Sequence, residues 1–100
     1  MAFLQRIVHG KAKDAVRLTY GKITIGRSTG NDILLSPSAS SKYHAEIECI
    51  GDQYRLTDLK SRNGTLVNGN RIEGGYLLRH GDELDFAGAI FVYRNAALEV

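Results

Sequence analysis

Short segments in which apolar and polar residues alternate recur along most of the chain. Residues 16–20, 23–25, 45–49 and 53–57 show this period of two, which is typical of half-buried β-strands. Residues 21–22 are predicted to reverse the chain between the first two of these strands. No stretch of a dozen residues keeps apolar side chains at the i, i+3, i+4, i+7 spacing of an amphipathic helix. The pattern therefore predicts strands and no long helix.

Shorter apolar runs fill the spaces between groups of turn-forming residues. Residues 9–14 are polar and turn-like, Asn68-Gly69 is a strong hairpin signal, and Pro37 argues against a central strand in its loop. The further predicted strands are residues 4–8, 32–35, 65–67, 71–72, 76–78, 83–86 and 90–93. So many short strands in a single domain, residues 1–100, indicate a β-sandwich or a β-barrel. Only the last few residues are expected to fray.

Composition and charge exclude several classes of protein. Of the 100 residues, 43% are hydrophobic and 24% are charged, which is ordinary for a soluble domain. No apolar run has the length of a membrane span, and the first residues do not resemble a secretory signal. Cys49 is the only cysteine, so no internal disulfide forms, and a net charge of +2 without a basic run gives no reason to expect nucleic acid. We therefore expect a cytoplasmic protein, or a nuclear one in a eukaryote, that binds neither membrane nor nucleic acid.

Residues 58–69 form a segment whose course is tightly specified. Two Asn-Gly pairs, at residues 63–64 and 68–69, flank one short apolar run, and such pairs are the strongest short-range turn signals. Two other polar loops, residues 26–31 and 36–42, stand out from the strand pattern. The sequence leaves open whether the three loops meet, because one strand separates the first two and a long loop after it could fold back.

The three loops carry side chains that suit an anionic ligand. Arg27 and Arg62 offer planar guanidinium groups that match phosphate and keep their charge. Ser41 adds a hydroxyl, Lys42 adds a point charge, and Asn63 adds an amide that both donates and accepts hydrogen bonds. Together these residue types suit a phosphate flanked by peptide backbone.

The chain resembles the forkhead-associated (FHA) domain from about residue 23 to residue 86. The motifs that carry the resemblance occur in the family's order and spacing: Gly26-Arg27-Ser28, Asn31-Asp32-Ile33, Ser41-Lys42-Tyr43-His44, Asp58 through Gly69, and Gly81-Asp82. The resemblance implies an all-β sandwich of two twisted, largely antiparallel sheets with about eleven short strands. It also implies a non-catalytic module, monomeric as an isolated domain and without a cofactor, whose loops at one end bind phosphothreonine in proteins phosphorylated by a Ser/Thr kinase.

The same resemblance assigns a role to each candidate residue. Arg27 and Ser41 are expected to hold the phosphate, with Lys42 beside it. Asn63 is expected to bond the ligand backbone next to the phosphothreonine, and Arg62 to contribute alongside. Structural support of the site is expected from Gly26, His44, Gly64 and Asn68.

Other interpretations use some of the same residues. A hydrolase triad could be formed by Ser41, His44 and Asp58. The sequence, however, has no Gly-x-Ser-x-Gly elbow and no signal for an oxyanion hole. The histidines and the cysteine lack the spacing of metal ligands, so no metal is expected. Basic loops could bind nucleic acid. The main alternative is an FHA-like module that acts through phosphate-independent protein contacts or through self-association by a sheet face.

Overall fold

The computed structural model describes residues 2–36 and 40–95. Within these ranges the chain forms eleven strands and no helix, and therefore no helix that could cross a membrane. The strands are β1 (Ala2–Val8), β2 (Lys11–Arg17), β3 (Lys22–Gly26), β4 (Ile33–Leu34), β5 (Ala45–Ile50), β6 (Gln53–Asp58), β7 (Leu66–Val67), β8 (Asn70–Arg71), β9 (Gly75–Leu77), β10 (Glu83–Phe86) and β11 (Ala89–Asn95). The predictions for Pro37 and for the last few residues lie outside the described residues.

The strands form two sheets. One has six strands in the order β2-β1-β11-β10-β7-β8, and the other has five in the order β4-β3-β5-β6-β9. The strand pairs with a described register are antiparallel except for β3 and β4. The all-β fold with two largely antiparallel sheets and about eleven strands is thus confirmed.

The core lies between the two sheets, where alternate side chains of each central strand point inward. In β11 the inward residues Ala89, Phe91 and Tyr93 are at most 9% exposed, and Phe91 meets the edge of the Phe86 ring at a centroid distance of 5.8 Å. The five-stranded sheet contributes the buried side chains of Ile23, Ile25, Ile33, Ala45, Ile47 and Leu56. Burial of each large apolar side chain contributes about 1.5–3 kcal/mol, so this interleaved core is the main force that holds the sheets together.

The parallel pairing of β3 and β4 decides where the polar loops lie. Ile25 is opposite Ile33, and Gly26 is opposite Leu34. The chain therefore leaves the end of β3, loops back, and runs again toward the same end of the sandwich. Because β5 is antiparallel to β3 and β6 is antiparallel to β5, the connections before β5 and after β6 lie there too. This end, formed by residues 27–32, 40–44 and 59–65, is called the loop end below.

The strand predicted at residues 16–20 is right only for residues 16–17, where β2 ends, and the turn-like segment predicted at residues 9–14 is wrong from residue 11 onward, where β2 begins. The strand in this region is β2, which pairs with β1 through a His9-Gly10 turn in which both residues have positive φ. The side chain of Leu18 is buried because the chain crosses there from one sheet to the other, and its amide donates to the carbonyl of Ala2. Tyr20 is 90% exposed. The apparent alternation thus belongs to the end of an edge strand and a crossing segment, not to a hairpin with residues 23–25.

The two Asn-Gly pairs have different backbone conformations and different places in the fold. Asn68 and Gly69 both have positive φ, at 51° and 85°, and they join β7 to β8 as a two-residue hairpin turn, as predicted. In the other pair only Gly64 has positive φ, at 78°. Asn63-Gly64 is therefore a bend within the loop that follows β6, and Lys60 in the same loop also has positive φ, at 55°.

Candidate functional site

Backbone hydrogen bonds join two of the predicted loops directly. The amide of Arg27 donates to the carbonyl of Ser41 and the amide of Ser28 donates to the carbonyl of Lys42, each at 3.1 Å. Asn31 Nδ2 then donates to the carbonyls of Ser28 at 2.9 Å and Lys42 at 2.7 Å. The loops that follow β3 and precede β5 therefore behave as one unit at the loop end.

Gly26 is required at this junction because of the close approach of two chains. A Cβ on Gly26 would overlap the carbonyl oxygen of Lys42 and would lie 2.8 Å from Asn31 Nδ2. Neither neighbour is the free end of a flexible side chain. Any larger residue at position 26 would push the two loops apart.

The Arg27 side chain is oriented by its own loop unit. Its Nε donates to the carbonyl of Ser40 at 3.2 Å, and Ser40 is only 3% exposed. This bond from Nε fixes the orientation of the guanidinium plane. The Arg27 side chain remains exposed. The terminal N–H groups are left to meet an external acceptor.

A side-chain hydrogen bond connects this unit to the third loop. The backbone amide of Arg62 donates to Ser41 Oγ at 2.9 Å. Since the hydroxyl oxygen accepts this bond, the hydroxyl proton of Ser41 can be given to another acceptor. Arg27 and Ser41 thus present donors from adjoining loops.

His44 is buried beneath these loops and joins them. It is 0% exposed. Its Nδ1 accepts the amide of Ser41 at 3.1 Å, so in the neutral ring Nε2 carries the proton. Nε2 donates that proton to the carbonyl of Gly64 at 2.8 Å, and Phe86 packs edge-on at 5.8 Å. His44 therefore connects the loop that contains Ser41 to the loop that contains Gly64.

Asp58 organises the third loop. Its carboxylate accepts the amide and hydroxyl of Ser61 and the hydroxyl of Thr65, and both partners are buried. Burial raises the pKa of Asp58, but the hydrogen bonds from Ser61 and Thr65 outweigh it and leave the pKa below its ordinary value of 3.8. An ionised Asp58 therefore fixes the curve of residues 58–65, which presents Arg62 and Asn63.

The remaining candidate residues take two different places. Lys42, Arg62 and Asn63 are exposed at the loop end. Asn68 lies farther along the chain. Its Nδ2 donates a hydrogen bond to the carboxylate of Asp82 at 2.9 Å, and its Oδ1 accepts the backbone N–H of Glu83, also at 2.9 Å. Its direct contacts secure the hairpin of β7 and β8 to β10 and do not reach the loops that carry Arg27 and Ser41.

The hydrolase interpretation is not supported by the geometry. His44 Nδ1 bonds the backbone amide of Ser41, while the Ser41 hydroxyl accepts from Arg62. The opposite ring nitrogen lies 4.0 Å from Asp58 and bonds Gly64 instead. The three residues are neighbours, but the histidine is not placed to take a proton from the serine. Among residues 2–36 and 40–95, no three His, Cys, Asp or Glu side chains cluster as a metal site would require.

The family model for the FHA domain matches residues 23–87. The chain belongs to the FHA domain family. The matched segment runs from β3 past the end of β10 and contains every candidate residue described above. The sheet register and the bonds between the loops answer the question that the strand pattern alone left open, because they bring the loops together at one end.

Known proteins and solved structures resemble the chain over nearly its whole length. The DNA damage response protein kinase DUN1 of Saccharomyces cerevisiae is 32% identical over 106 residues, which cover 97% of this chain and 21% of that protein. The structure of Mycobacterium tuberculosis EmbR in complex with a low-affinity phosphopeptide has 32% identity and a TM-score of 0.84, covering 93% of this chain and 24% of that chain. The FhaA FHA domain complexed with the intracellular domain of Rv3910 has 29% identity and the same TM-score of 0.84, covering 94% of this chain and all of that one. The chain thus spans about a fifth to a quarter of the length of DUN1 and EmbR.

Sequence reasoning gave no structural role to three residues that build the site. Asn31 ties the loop unit together, and Ser61 and Thr65 hold Asp58. The spacing Asp58-x-x-Ser61 is a signal for a local side-chain cap of a turn and could have revealed part of this network. The bonds of Asn31 to a carbonyl eleven positions away have no comparable local signal.

Proposed function

We propose that residues 1–100 form one non-catalytic FHA domain that binds phosphothreonine-containing segments of other proteins at its loop end. The observation that carries this proposal is the bond from the Arg62 amide to Ser41 Oγ. It fixes the serine oxygen and leaves the hydroxyl proton for a ligand. Arg27, fixed through Ser40 on the joined loop, supplies the positive charge beside it.

A phosphothreonine matches this pair of donors. Its phosphate carries roughly −1.5 to −2 charges and three acceptor oxygens at neutral pH. Each charge-assisted hydrogen bond contributes roughly 1.5–3 kcal/mol, and ordering a flexible peptide opposes binding. A net binding free energy of about −8 kcal/mol, hence a dissociation constant on the order of micromolar, is the expected result.

The exposed residues around the donor pair extend the site from phosphate to peptide. Lys42 lies next to Ser41 and adds a second positive charge. Arg62 and Asn63 lie on the loop held by Asp58, where the Asn63 amide can bond the backbone of an extended ligand. The phosphate and the neighbouring peptide units are thus recognised by different loops, which His44 joins through its two ring nitrogens.

The relatives support this assignment by what they bind. EmbR has been seen with a phosphopeptide, and a further structure with the FHA fold holds a phosphothreonine peptide of HOP1. The proposed partner here is a protein phosphorylated on threonine by a Ser/Thr kinase, encountered in the cytoplasm or the nucleus. We propose no catalytic step for the module, since the His44 ring bonds the backbone amide of Ser41 and not its hydroxyl, so no base is placed to activate that serine.

Fluorescence polarisation with three peptides of identical sequence tests the proposal. The peptides carry threonine, phosphoserine or phosphothreonine at the central position. Micromolar binding is expected for phosphothreonine, with much weaker binding of threonine, and the affinity should fall as salt concentration rises.

Equal binding of the three peptides would contradict the proposal and favour phosphate-independent protein contacts. Steep salt dependence without selectivity for phosphothreonine would instead indicate nucleic-acid binding. Both outcomes can be read from the same titration series when a single-stranded oligonucleotide is included as a fourth probe.

A further inference from the structure

Some cations of the sandwich have a carboxylate partner and others do not. Three cations on the sheets are compensated within ion-pair distance: Arg6 by Asp14 at 3.5 Å, Lys22 by Glu46 at 3.1 Å and Arg55 by Glu48 at 2.8 Å. Other strand cations, such as Arg17 on β2, form no ion pair among the described residues. At the loop end, Arg27, Lys42 and Arg62 have no carboxylate partner among the described residues. Uncompensated cations of this kind attract an anionic ligand and gain their partners on binding.

Arg71 belongs to the uncompensated group, although no sequence motif marked it as part of the site. It is the last residue of β8, which returns to the loop end after the Asn68-Gly69 turn. Arg71 is opposite Leu66 in the hairpin, and the amide of Ile72 donates to the carbonyl of Thr65 at 3.0 Å. The base of the Arg71 side chain is therefore fixed beside the loop that carries Asn63.

The guanidinium group of Arg71 lies across the backbone of Gly64. A Cβ added to Gly64 would be 2.7 Å from Arg71 Nε and 2.9 Å from its Cζ. Gly64 directly follows Asn63, the residue proposed to bond the ligand backbone. Arg71 is exposed and forms no ion pair within residues 2–36 and 40–95, so its charge is available at the rim of the site.

The order of these contacts defines a direction along the loop end. In the loop that follows β6, Arg62 is bonded to Ser41. Asn63 is the next residue, and Gly64, which Arg71 covers, follows Asn63. A ligand whose phosphate lies at Arg27 and Ser41, and whose backbone meets Asn63, would bring a flanking side chain to Arg71. Among the ordinary side chains of a peptide, a planar guanidinium pairs well with a carboxylate, which it can bind through two parallel hydrogen bonds.

We propose that Arg71 is a specificity-determining residue that selects partners with an aspartate or glutamate on one side of the phosphothreonine. The proposal rests on phosphothreonine binding at the loop end. The pair would form at an exposed rim, where it contributes less to affinity than the phosphate does. Its effect is therefore a preference among phosphorylated partners.

A glutamate scan of the ligand tests this proposal. A phosphothreonine peptide with alanine at every flanking position is compared with peptides that carry one glutamate at each flanking position in turn. Wild-type protein should bind about fivefold more tightly when the glutamate is at one position, or at two adjacent positions, on one side of the phosphothreonine. The all-alanine peptide should still bind in a phosphate-dependent way.

Variants then show whether Arg71 is responsible. Arg71→Gln should lose the glutamate preference but keep binding of the all-alanine peptide, and Arg71→Lys should keep part of the preference. Arg71→Glu should reverse it, so that lysine at the same peptide position is favoured. Arg17→Gln is the matched control, because it removes the same charge from the exposed edge strand β2. Thermal unfolding of each variant checks that the fold is intact.

The outcomes separate this proposal from the proposed function. If wild-type protein binds the phosphothreonine peptide but is indifferent to glutamate at every position, the role of Arg71 is wrong and the function stands. The role is also wrong if Arg17→Gln abolishes the preference as fully as Arg71→Gln, since the effect would then be one of net charge. If wild-type binding does not depend on phosphate, both proposals are wrong.

Discussion

The backbone amide of Arg62 donates a hydrogen bond to the side-chain oxygen of Ser41, 21 positions earlier in the chain, at 2.9 Å. This bond couples the loop before β5 to the loop after β6 without using the charge of Arg62. Because the Ser41 oxygen already accepts the Arg62 amide on one side, the hydroxyl proton of Ser41 is directed away from that amide. A phosphate site in which the serine is positioned before the ligand arrives loses less entropy on binding.

Replacing Ser41 with alanine should weaken phosphothreonine binding about 10- to 100-fold. The change removes one hydrogen bond to a charged acceptor, which contributes roughly 1.5–3 kcal/mol, and it frees the Arg62 loop. Isothermal titration calorimetry with the phosphothreonine peptide measures the effect. A variant that bound as tightly as wild type would show that Ser41 does not touch the phosphate.

Replacing Arg27 with alanine should cost at least about 2 kcal/mol of binding free energy, because the phosphate loses its principal counter-charge. Arg27→Lys should restore only part of the loss, since an ammonium group cannot both bond Ser40 and present a planar fork. The same calorimetric titration applies. Arg17→Ala is the control for net charge, and an equal loss in that variant would contradict a local role for Arg27.

Gly26→Ala should damage both stability and binding. The new methyl group would collide with the carbonyl of Lys42, and overpacking of this kind costs about 1–3 kcal/mol. Urea unfolding and peptide titration measure the two effects. Gly51→Ala is a useful comparison, because Gly51 has nothing within 4 Å of an added Cβ but does have positive φ. It should lower stability and leave peptide affinity unchanged, whereas equal peptide affinity in Gly26→Ala would contradict the proposed junction.

Asp58 should make stability depend on pH in the acid range. Its pKa in the folded protein lies below 3.8, so the unfolded chain takes up a proton more readily. The stabilising contribution of Asp58 is therefore present above pH 3.8 and is lost as the pH falls through the folded-state pKa. Urea unfolding of wild type and Asp58→Asn between pH 7 and pH 2.5 measures this contribution.

The two proteins should differ most near neutral pH, where the Asp58→Asn variant leaves donors from Ser61 and Thr65 without a carboxylate, at a cost of about 1–3 kcal/mol. The difference should shrink in acid. Asp52→Asn, on the exposed turn between β5 and β6, should behave as wild type at every pH. A difference between wild type and Asp58→Asn that did not change with pH would contradict the account of the carboxylate.

The strands that could be predicted from the sequence are those with one buried face. In β5, β6 and β10 the inward positions are apolar and the outward ones are polar, so the period of two is visible. The edge strand β2 has almost no buried side chain, and its pattern therefore gave no signal. Leu18 misled the prediction because a residue that is buried in a crossing segment looks the same as one in a strand.

The candidate residues of the site come from sequence motifs, but the bonds between them have no such signal. Arg27, Ser41 and Asn63 lie within the residues that the FHA family model matches, and their contact with a ligand stays a prediction. The bonds from Arg62 to Ser41 and from Asn31 to Lys42 join loops that are distant in the chain. Such contacts depend on the register of the two sheets, above all on the parallel pairing of β3 with β4, which has no local sequence signal.

Amide chemical shifts in a ¹H–¹⁵N correlation spectrum, recorded during titration with matched threonine and phosphothreonine peptides, test the central claim most directly. The phosphothreonine peptide should move the amides of Arg27, Ser41, Arg62 and Asn63 together, with one micromolar dissociation constant, and the threonine peptide should move none of them appreciably. Equal shifts with both peptides, or shifts confined to an outer sheet face, would contradict phosphate recognition at the loop end.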